Sequence, residues 1–494
     1  MPYDMPSCPQ STAGLDITSY KPAQRVSRLH GTTVQPSSSA HDSFTLSPHH
    51  TSTASHSSSS TSHSSSPKPF TYDLTRKGKT WGKLTLHGDP ALSRSSPALV
   101  EPALHTKGEG ATARADEGAT VRGEVQLNLD NPETLHSVRV TVRGQISIGA
   151  SAPFTFLDVS TTLWSREMGD PRGEGSQSLS ATKLHGIHTW PFAIPLPRAV
   201  TLPVGSPPRE RQYQLPANFW ERHEPVRVRY YVILQVGRGR WRGDLRLPVE
   251  FTYVPWSVPS PTRQLAYEKH TPPPPPDADM DGWHTAKSVV VSGLVGEGRH
   301  EVEVTCCLSL AKPIAYTRGS VIPLALTFES HDAAALDLLS APTAPVVRLR
   351  RRLRYKADIG KVDEGDDYEG EGGSGCQSNG NGRARPPGTT AWTESTTVYD
   401  LASWWPREGA PQHTYRRCLG GEIHLKEDLR PTTNFAHWRV EYEVVLFPFD
   451  IPSFVGRDRE PPVVQPVEIA TAYGPGPRPR VVTAPVFEFA GAWV

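Results

Sequence analysis

From Val346 to Lys356 the chain reads V-V-R-L-R-R-R-L-R-Y-K, with a basic residue at every even position from 348 onward. An arginine carries a planar fork that pairs bidentately with phosphate or carboxylate, so a row of arginines is chemistry for holding anions. In a β-strand, side chains two apart share a face. Arg348, Arg350, Arg352, Arg354 and Lys356 would then line one face over about 27 Å, with Leu349, Leu353 and Tyr355 on the other and Arg351 interrupting the apolar row. A helix would scatter these charges around its circumference, so the alternation favours a strand. Just beyond, Asp363, Glu364, Asp366, Asp367, Glu369 and Glu371 form an acidic counterweight in a Gly-rich run. A single exposed ion pair contributes only ~0.2–1 kcal/mol. Several arginines together can hold an acidic or phosphorylated peptide or anionic lipid head groups, and the acidic segment 363–371 would compete for them in cis as an autoinhibitory segment. A solvated outer strand face explains the stripe equally well.

A second basic face is formed by Arg227 and Arg229, continued by Arg238, Arg240, Arg242 and Arg246, or these residues simply coat a sheet exterior. Catalytic patterns are missing from the sequence. There is no H-E-x-x-H, no G-x-S-x-G and no paired Cys/His spacing, and Gly78-Lys79-Thr80 has Asp73 where a phosphate loop needs glycine. His41, His49, His50, His56 and His63 lie in a polar low-complexity tail, where metal binding is the minor reading. His185 and His188 are loop histidines, and Trp404-Trp405 is expected to pack in a core or turn. The residues point away from an enzyme, and no cofactor or metal is expected.

With 494 residues the chain has room for two or three domains. It carries 49 prolines and 40 glycines between short apolar-alternating runs, which favours an all-β protein. The formal net charge of +1 gives no global argument for nucleic acid or an acidic membrane surface. Five irregularly spaced cysteines suggest a reduced, intracellular chain. The first residues, MPYDMPSCPQ, do not resemble a signal peptide, and no run of ~18 apolar residues exists to span a membrane.

Residues 1–68 read as a disordered Ser/His-rich tail open to phosphorylation. Strand patterns then follow. Val121–Leu129 and Val138–Val142 suggest half-buried antiparallel strands, and Phe154 to Trp164 another. W-P-F-A-I-P-L-P (190–197) reads as an edge strand because of its prolines, and L-P-A-N-F (215–219) as a turn anchored by Phe219. Val226 to Val236 is the longest alternation in the chain. A Pro-rich linker over 257–284 separates this block, 69–256, from a second at 285–475. The second block holds a disordered acidic loop at about 360–390, and 476–494 is a tail in which V-F-E-F-A (486–490) is a frayed apolar terminus. The expected fold is all-β, two tandem antiparallel β-sandwiches of immunoglobulin-like type.

The order V-R-G-E-V-Q-L-N-L (121–129), V-R-V-T-V-R-G (138–144), W-P-F-A-I-P-L-P, L-P-A-N-F and V-R-V-R-Y-Y-V-I-L-Q-V (226–236) resembles the N-terminal sandwich of the arrestins, specifically the α-arrestin-like proteins of fungi. K-P-I-A-Y-T-R-G-S-V-I-P-L (312–324) and F-A-H-W-R-V-E-Y-E-V-V-L (435–446) resemble the C-terminal one. The resemblance covers roughly residues 70–475. It implies a non-catalytic cytoplasmic adaptor, recruited to the plasma membrane or endosomes. Such an adaptor links cytoplasmic segments of membrane proteins to endocytosis, and in the α-arrestin branch does so through a HECT-type ubiquitin ligase that reads P-P-x-Y motifs. No P-P-x-Y occurs here, so ligase recruitment by that route lacks its motif. The alternative is a structural sorting or coat subunit resembling the arrestin-related retromer component.

Overall fold

The computed structural model describes residues 68–76, 78–88, 98–100, 117–169, 183–204, 208–238, 242–259, 274–296, 300–356, 392–407, 414–474 and 478–485. The Ser/His-rich segment, the acidic segment Asp363, Glu364, Asp366, Asp367, Glu369 and Glu371, and the 486–490 run lie outside the described residues.

The alternating runs become strands, and the strands assemble into two β-sandwiches. In the first, Lys68–Arg76, Lys79–Gly88, Glu117–Glu133 and Leu184–Pro197 form one sheet in that order. Facing it, Ala98–Val100, Leu245–Val254, Val226–Gly237, Ser137–Ile148 and Phe154–Ser165 form the other, with Phe219–Trp220 added to Val226–Gly237. The two early alternations, at 121–129 and 138–142, are antiparallel strands but do not pair with one another: they lie in opposed sheets. The proline-containing strand Leu184–Pro197 sits at a sheet edge, paired only with Glu117–Glu133. Gly123 is required there, because a Cβ would lie 2.3 Å from the carbonyl oxygen of Thr85.

The second sandwich has the same plan. Its larger sheet runs Ser403–Pro406, Arg416–His424, Val321–Glu329, His300–Ala311, Val289–Val295, Phe454–Gly456, Asp450–Ile451. Its other sheet runs Ala315–Thr317, Val463–Ala470, Trp438–Leu446, Val347–Lys356, Trp392–Leu401, with Thr433–Phe435 added to Trp438–Leu446. Among the described residues there is one short α-helix, Ala333–Leu339, which starts at Asp332, whose carboxylate accepts the Ala335 amide at 2.8 Å. Among the described residues no strand of one sandwich pairs with a strand of the other, and Ala199–Val204 and Arg209–Gln214 form a separate two-stranded sheet.

The shared plan extends to sequence. Arg227–Leu234 and Arg439–Leu446 both spell R-V-x-Y-x-V-x-L. In each copy the central tyrosine is buried, and its hydroxyl donates 2.7 Å to a carbonyl upstream, Tyr230 to Pro216 and Tyr442 to Arg430. The bonds span 14 and 12 residues of chain and tie each tyrosine to the segment that leads into its short added strand. In each copy a polar side chain just before the short added strand locks the neighbouring strand. Asn218 Oδ1 accepts the Tyr253 amide at 2.7 Å, and Thr432 Oγ1 accepts the Ile469 amide at 2.8 Å. The copies differ in the connection that follows: Glu221–Pro225 in the first, only Ala436 and His437 in the second.

The sheets are separate but the buried side chains are not. The apolar cores of the two sandwiches join into one cluster through an aromatic contact zone. Phe435 meets Phe156 edge-on at 5.1 Å and Tyr213 at 5.5 Å, and the anchoring Phe219 lies 5.0 Å from Trp438. Such aromatic pairs add ~0.5–1.5 kcal/mol each beyond the area they bury.

Candidate functional site

Residues 347–356 form the expected strand, and the alternation holds. Leu349 and Leu353 point into the core, while Arg350, Arg352 and Arg354 lie half-buried on the outer face. The strand is not at an edge. Trp438–Leu446 pairs on one side and Trp392–Leu401 on the other, which brings carboxylates of both neighbours onto the arginine face. Register sets the partners, because side chains opposite one another across antiparallel strands project to the same side. Arg350 faces Glu443, Arg352 faces Glu441, and Arg354 faces Glu394.

Glu443 is the pivot. It is buried, and it accepts both the Nε and Nη2 of Arg350, at 2.9 and 2.7 Å, and Nη1 of Arg352 at 3.0 Å. Arg352 turns its other edge to Glu394 in a bidentate pair of 2.8 and 2.7 Å. Arg354 lies looser, 4.0 Å from both Glu394 and Glu441. Hydrogen bonding to Glu394 raises the pKa of Arg352 above the ordinary arginine value, and the same contact holds the Glu394 carboxyl below the usual carboxylate range.

At the end of the strand the cations gather on one ring. Arg354, Lys356 and Arg439 lie 5.4, 5.0 and 4.8 Å from the centre of Trp392. Lys356, expected on the open basic face, is buried. Arg348 keeps its place on the even face opposite Val445. The five sequence-chosen cations are therefore on one side of one strand. Glu394, Glu441 and Glu443, which complete the site, were not marked by the sequence; they come from the two strands paired to either side.

An anion approaching this face meets guanidinium forks already aligned by Glu443. The side chains of Glu394 and Glu441 are 38% and 35% exposed against 8% for Glu443. Charge-assisted, bidentate hydrogen bonds of this kind are roughly twice as strong as neutral ones.

Arg351, the interruption of the apolar row, has a different task. Its side chain is 3% exposed and reaches the other sandwich, where Glu221 accepts Nη1 and Nη2, each at 2.7 Å. Glu224 lies 3.9 Å away and is itself held by the Ser395 hydroxyl at 2.7 Å. The ring of Tyr399 covers the guanidinium at 5.6 Å. Burial is the largest single effect and works against the charge, but the Glu221 hydrogen bonds together with the charge interactions of Tyr399, Glu221 and Tyr442 leave the Arg351 pKa above its ordinary value. Both carboxylates come from Glu221–Pro225, the connection that is longer in the first copy of the repeat.

In the second basic face, Arg227 and Arg229 lie on the outer side of Val226–Gly237 and Arg246 on the neighbouring strand. Arg229 lies 4.0 Å from Glu250, Arg238 donates to the Gly243 carbonyl, and Arg242 pairs with Glu133 at 2.9 Å. Arg240 lies outside the described residues. Trp404 and Trp405 pack against Gly421 and Gly420 as structural residues. His188 is buried and stacks on Trp190, 5.7 Å between ring centres. Among the described residues no cluster of three His, Cys, Asp or Glu side chains could hold a metal ion, and no helix is long and apolar enough to cross a membrane.

Comparison of the chain with protein-family models finds no matching family, and comparison with curated proteins finds no matching relative.

Proposed function

We propose that the protein is a non-catalytic, arrestin-like adaptor whose two sandwiches act as one body and whose Arg350–Arg352–Arg354 face receives acidic or phosphorylated cytoplasmic segments of membrane proteins. The observation that carries this reading is the arginine row itself. The buried Glu443 holds Arg350 and one edge of Arg352, while the other edge of Arg352 and the looser Arg354 face the part-exposed Glu394 and Glu441. The tandem sandwich order and the sequence resemblance to arrestins support the same reading, as does the clamp between Arg351 and Glu221, which gives the pair a fixed geometry. Delivery of the bound protein to endocytic or ubiquitin machinery belongs to the same proposal, in the cytoplasm.

The test is proximity labelling in the native cell with the wild-type chain and a variant in which Arg348, Arg350, Arg352, Arg354 and Lys356 are serine. Enrichment of transporters, receptors or ubiquitin-pathway proteins by wild type, and its loss in the variant, is expected. Equal labelling by both, or no membrane proteins at all, contradicts the adaptor reading. Co-purification of a fixed set of partners at stoichiometric ratio would point instead to a coat subunit.

A further inference from the structure

On the larger sheet of the second sandwich, the strand Arg416–His424 is buried on both faces over its last six residues. Leu419 and Ile423 point into the core, so Glu422 and His424 must project from the opposite side, which a sandwich leaves to solvent. A carboxylate buried there needs a cover and partners. Both come from the segment 478–485, which crosses the strand as a strap without helix or strand structure.

The contacts are specific. The Val482 amide donates to both Glu422 oxygens at 3.2 and 3.1 Å, and the Thr483 amide and hydroxyl each donate to Oε1 at 2.5 Å. His424 Nε2 lies 3.1 Å from the Thr483 hydroxyl and 3.2 Å from Glu422. Val481 and Val482 are 54% and 51% exposed, and the strap's further contact is Arg478 over the Tyr473 ring at 4.0 Å. A segment held by a few polar contacts opens locally far more often than the sheet below it.

Ahead of the threonine the strap reads R-P-R-V-V-T, with Arg478 and Arg480 five and three residues before Thr483 and both exposed. Arginines at those two positions are what a kinase with an acidic substrate groove reads. The chemistry of recognition and the chemistry of attachment thus fall on the same residue.

We propose that Thr483 is the acceptor for an arginine-directed protein kinase, and that phosphate on it releases the strap from Glu422. In the transfer, the Thr483 oxygen bonds to the γ-phosphorus of a nucleoside triphosphate as the bond to the nucleoside diphosphate breaks. The hydroxyl proton leaves to the base of the kinase. The product carries about −1.5 to −2 charges at neutral pH where a hydroxyl donor had been. The hydrogen bond to Glu422 is gone, and two anions cannot share that position. This device does not depend on what the arginine face binds.

The experiment treats the full chain with the catalytic subunit of an arginine-directed kinase and a nucleoside triphosphate, maps the phosphate by mass spectrometry and follows amide hydrogen exchange over 478–485. Phosphate on Thr483 is expected, with exchange at Val482 and Thr483 at least tenfold faster. The double variant Arg478→Ala/Arg480→Ala should be modified at least tenfold more slowly. Thr483→Val should show no change in strap exchange after kinase treatment, and phosphorylated Glu422→Gln should show a smaller rise than wild type. Absence of phosphate from Thr483, modification indifferent to the two arginines, or a phosphorylated strap with unchanged exchange would each overturn the proposal.

Discussion

The guanidinium of Arg351 and the carboxylate of Glu221 form two parallel hydrogen bonds of 2.7 Å across the boundary between the sandwiches. The arrangement is asymmetric. Arg351 is 3% exposed and Glu221 30%, so the arginine depends on the glutamate more than the reverse. Removing one partner of a buried pair typically costs ~3–5 kcal/mol, because a charge is left buried without compensation. Glu221→Ala is expected to fall near the lower end, about 3 kcal/mol, and Arg351→Met to cost less. The double variant should recover part of the loss. Denaturant unfolding of the four proteins checks this, and strictly additive losses would show that the pair is not coupled.

Phe435 occupies the centre of the aromatic zone, against Phe156 and Tyr213. Phe435→Ala should cost ~3–5 kcal/mol and loosen one sandwich from the other. In calorimetry the wild-type chain should unfold in one transition over these domains and the variant in two. One transition in the variant with an unshifted midpoint would remove this zone from the account of how the sandwiches are joined.

Much of this architecture was legible in the chain. The alternation at Val226–Val236 and the even-position arginines gave both the strand class and the face each residue takes, because side-chain direction in a strand is a local property. Partnership is not local. Arg351 stood out as an interruption, but Glu221 lies 130 residues away and on the other sandwich. Nothing local marks Glu443, and only register and the reach of its side chain place it between Arg350 and Arg352. The R-V-x-Y-x-V-x-L repeat was fully present in the sequence, yet its importance rests on two tyrosine hydroxyls finding equivalent carbonyls. The strap at 478–485 has no periodicity to read. The short helix Ala333–Leu339 has too few turns to declare an apolar stripe.

Asp332 links that helix to pH. The Ala335 amide, and to a lesser degree His300, hold its carboxyl below the usual carboxylate range. A carboxyl with a depressed folded-state pKa stabilises above its unfolded value, ~3.9, and that contribution fades as pH falls through the folded value. Asp332→Ala should therefore cost about 1 kcal/mol at neutral pH, and the gap from wild type should close in acid. Asp332→Asn should retain most of the cap and lose the pH dependence. Urea titrations at neutral and acidic pH distinguish these outcomes, and a gap that is constant with pH would contradict the cap.

Cys306 and Cys307 are neighbours on opposite faces of His300–Ala311. Burial pushes the Cys306 thiol up to about 12, and burial raises Cys307 less. The thiolate is the reactive form, so Cys306 should resist alkylation in the folded protein and react only at the rate of unfolding. Labelling followed by peptide mass spectrometry reads this directly. Rapid modification of Cys306 under native conditions would show that this strand is not the closed core strand described.

The most direct test of the central claim is a titration of the full chain with a multiply phosphorylated serine peptide at low and at physiological salt. Wild type is compared with Arg352→Ser/Arg354→Ser and Arg352→Lys/Arg354→Lys, and unchanged thermal midpoints serve as the check on folding. The account predicts salt-sensitive binding by wild type, weaker binding by the lysine pair, which keeps the charge but loses the fork, and at least tenfold weaker binding by the serine pair. Equal affinity in all three proteins, or no binding by wild type at low salt, would contradict it.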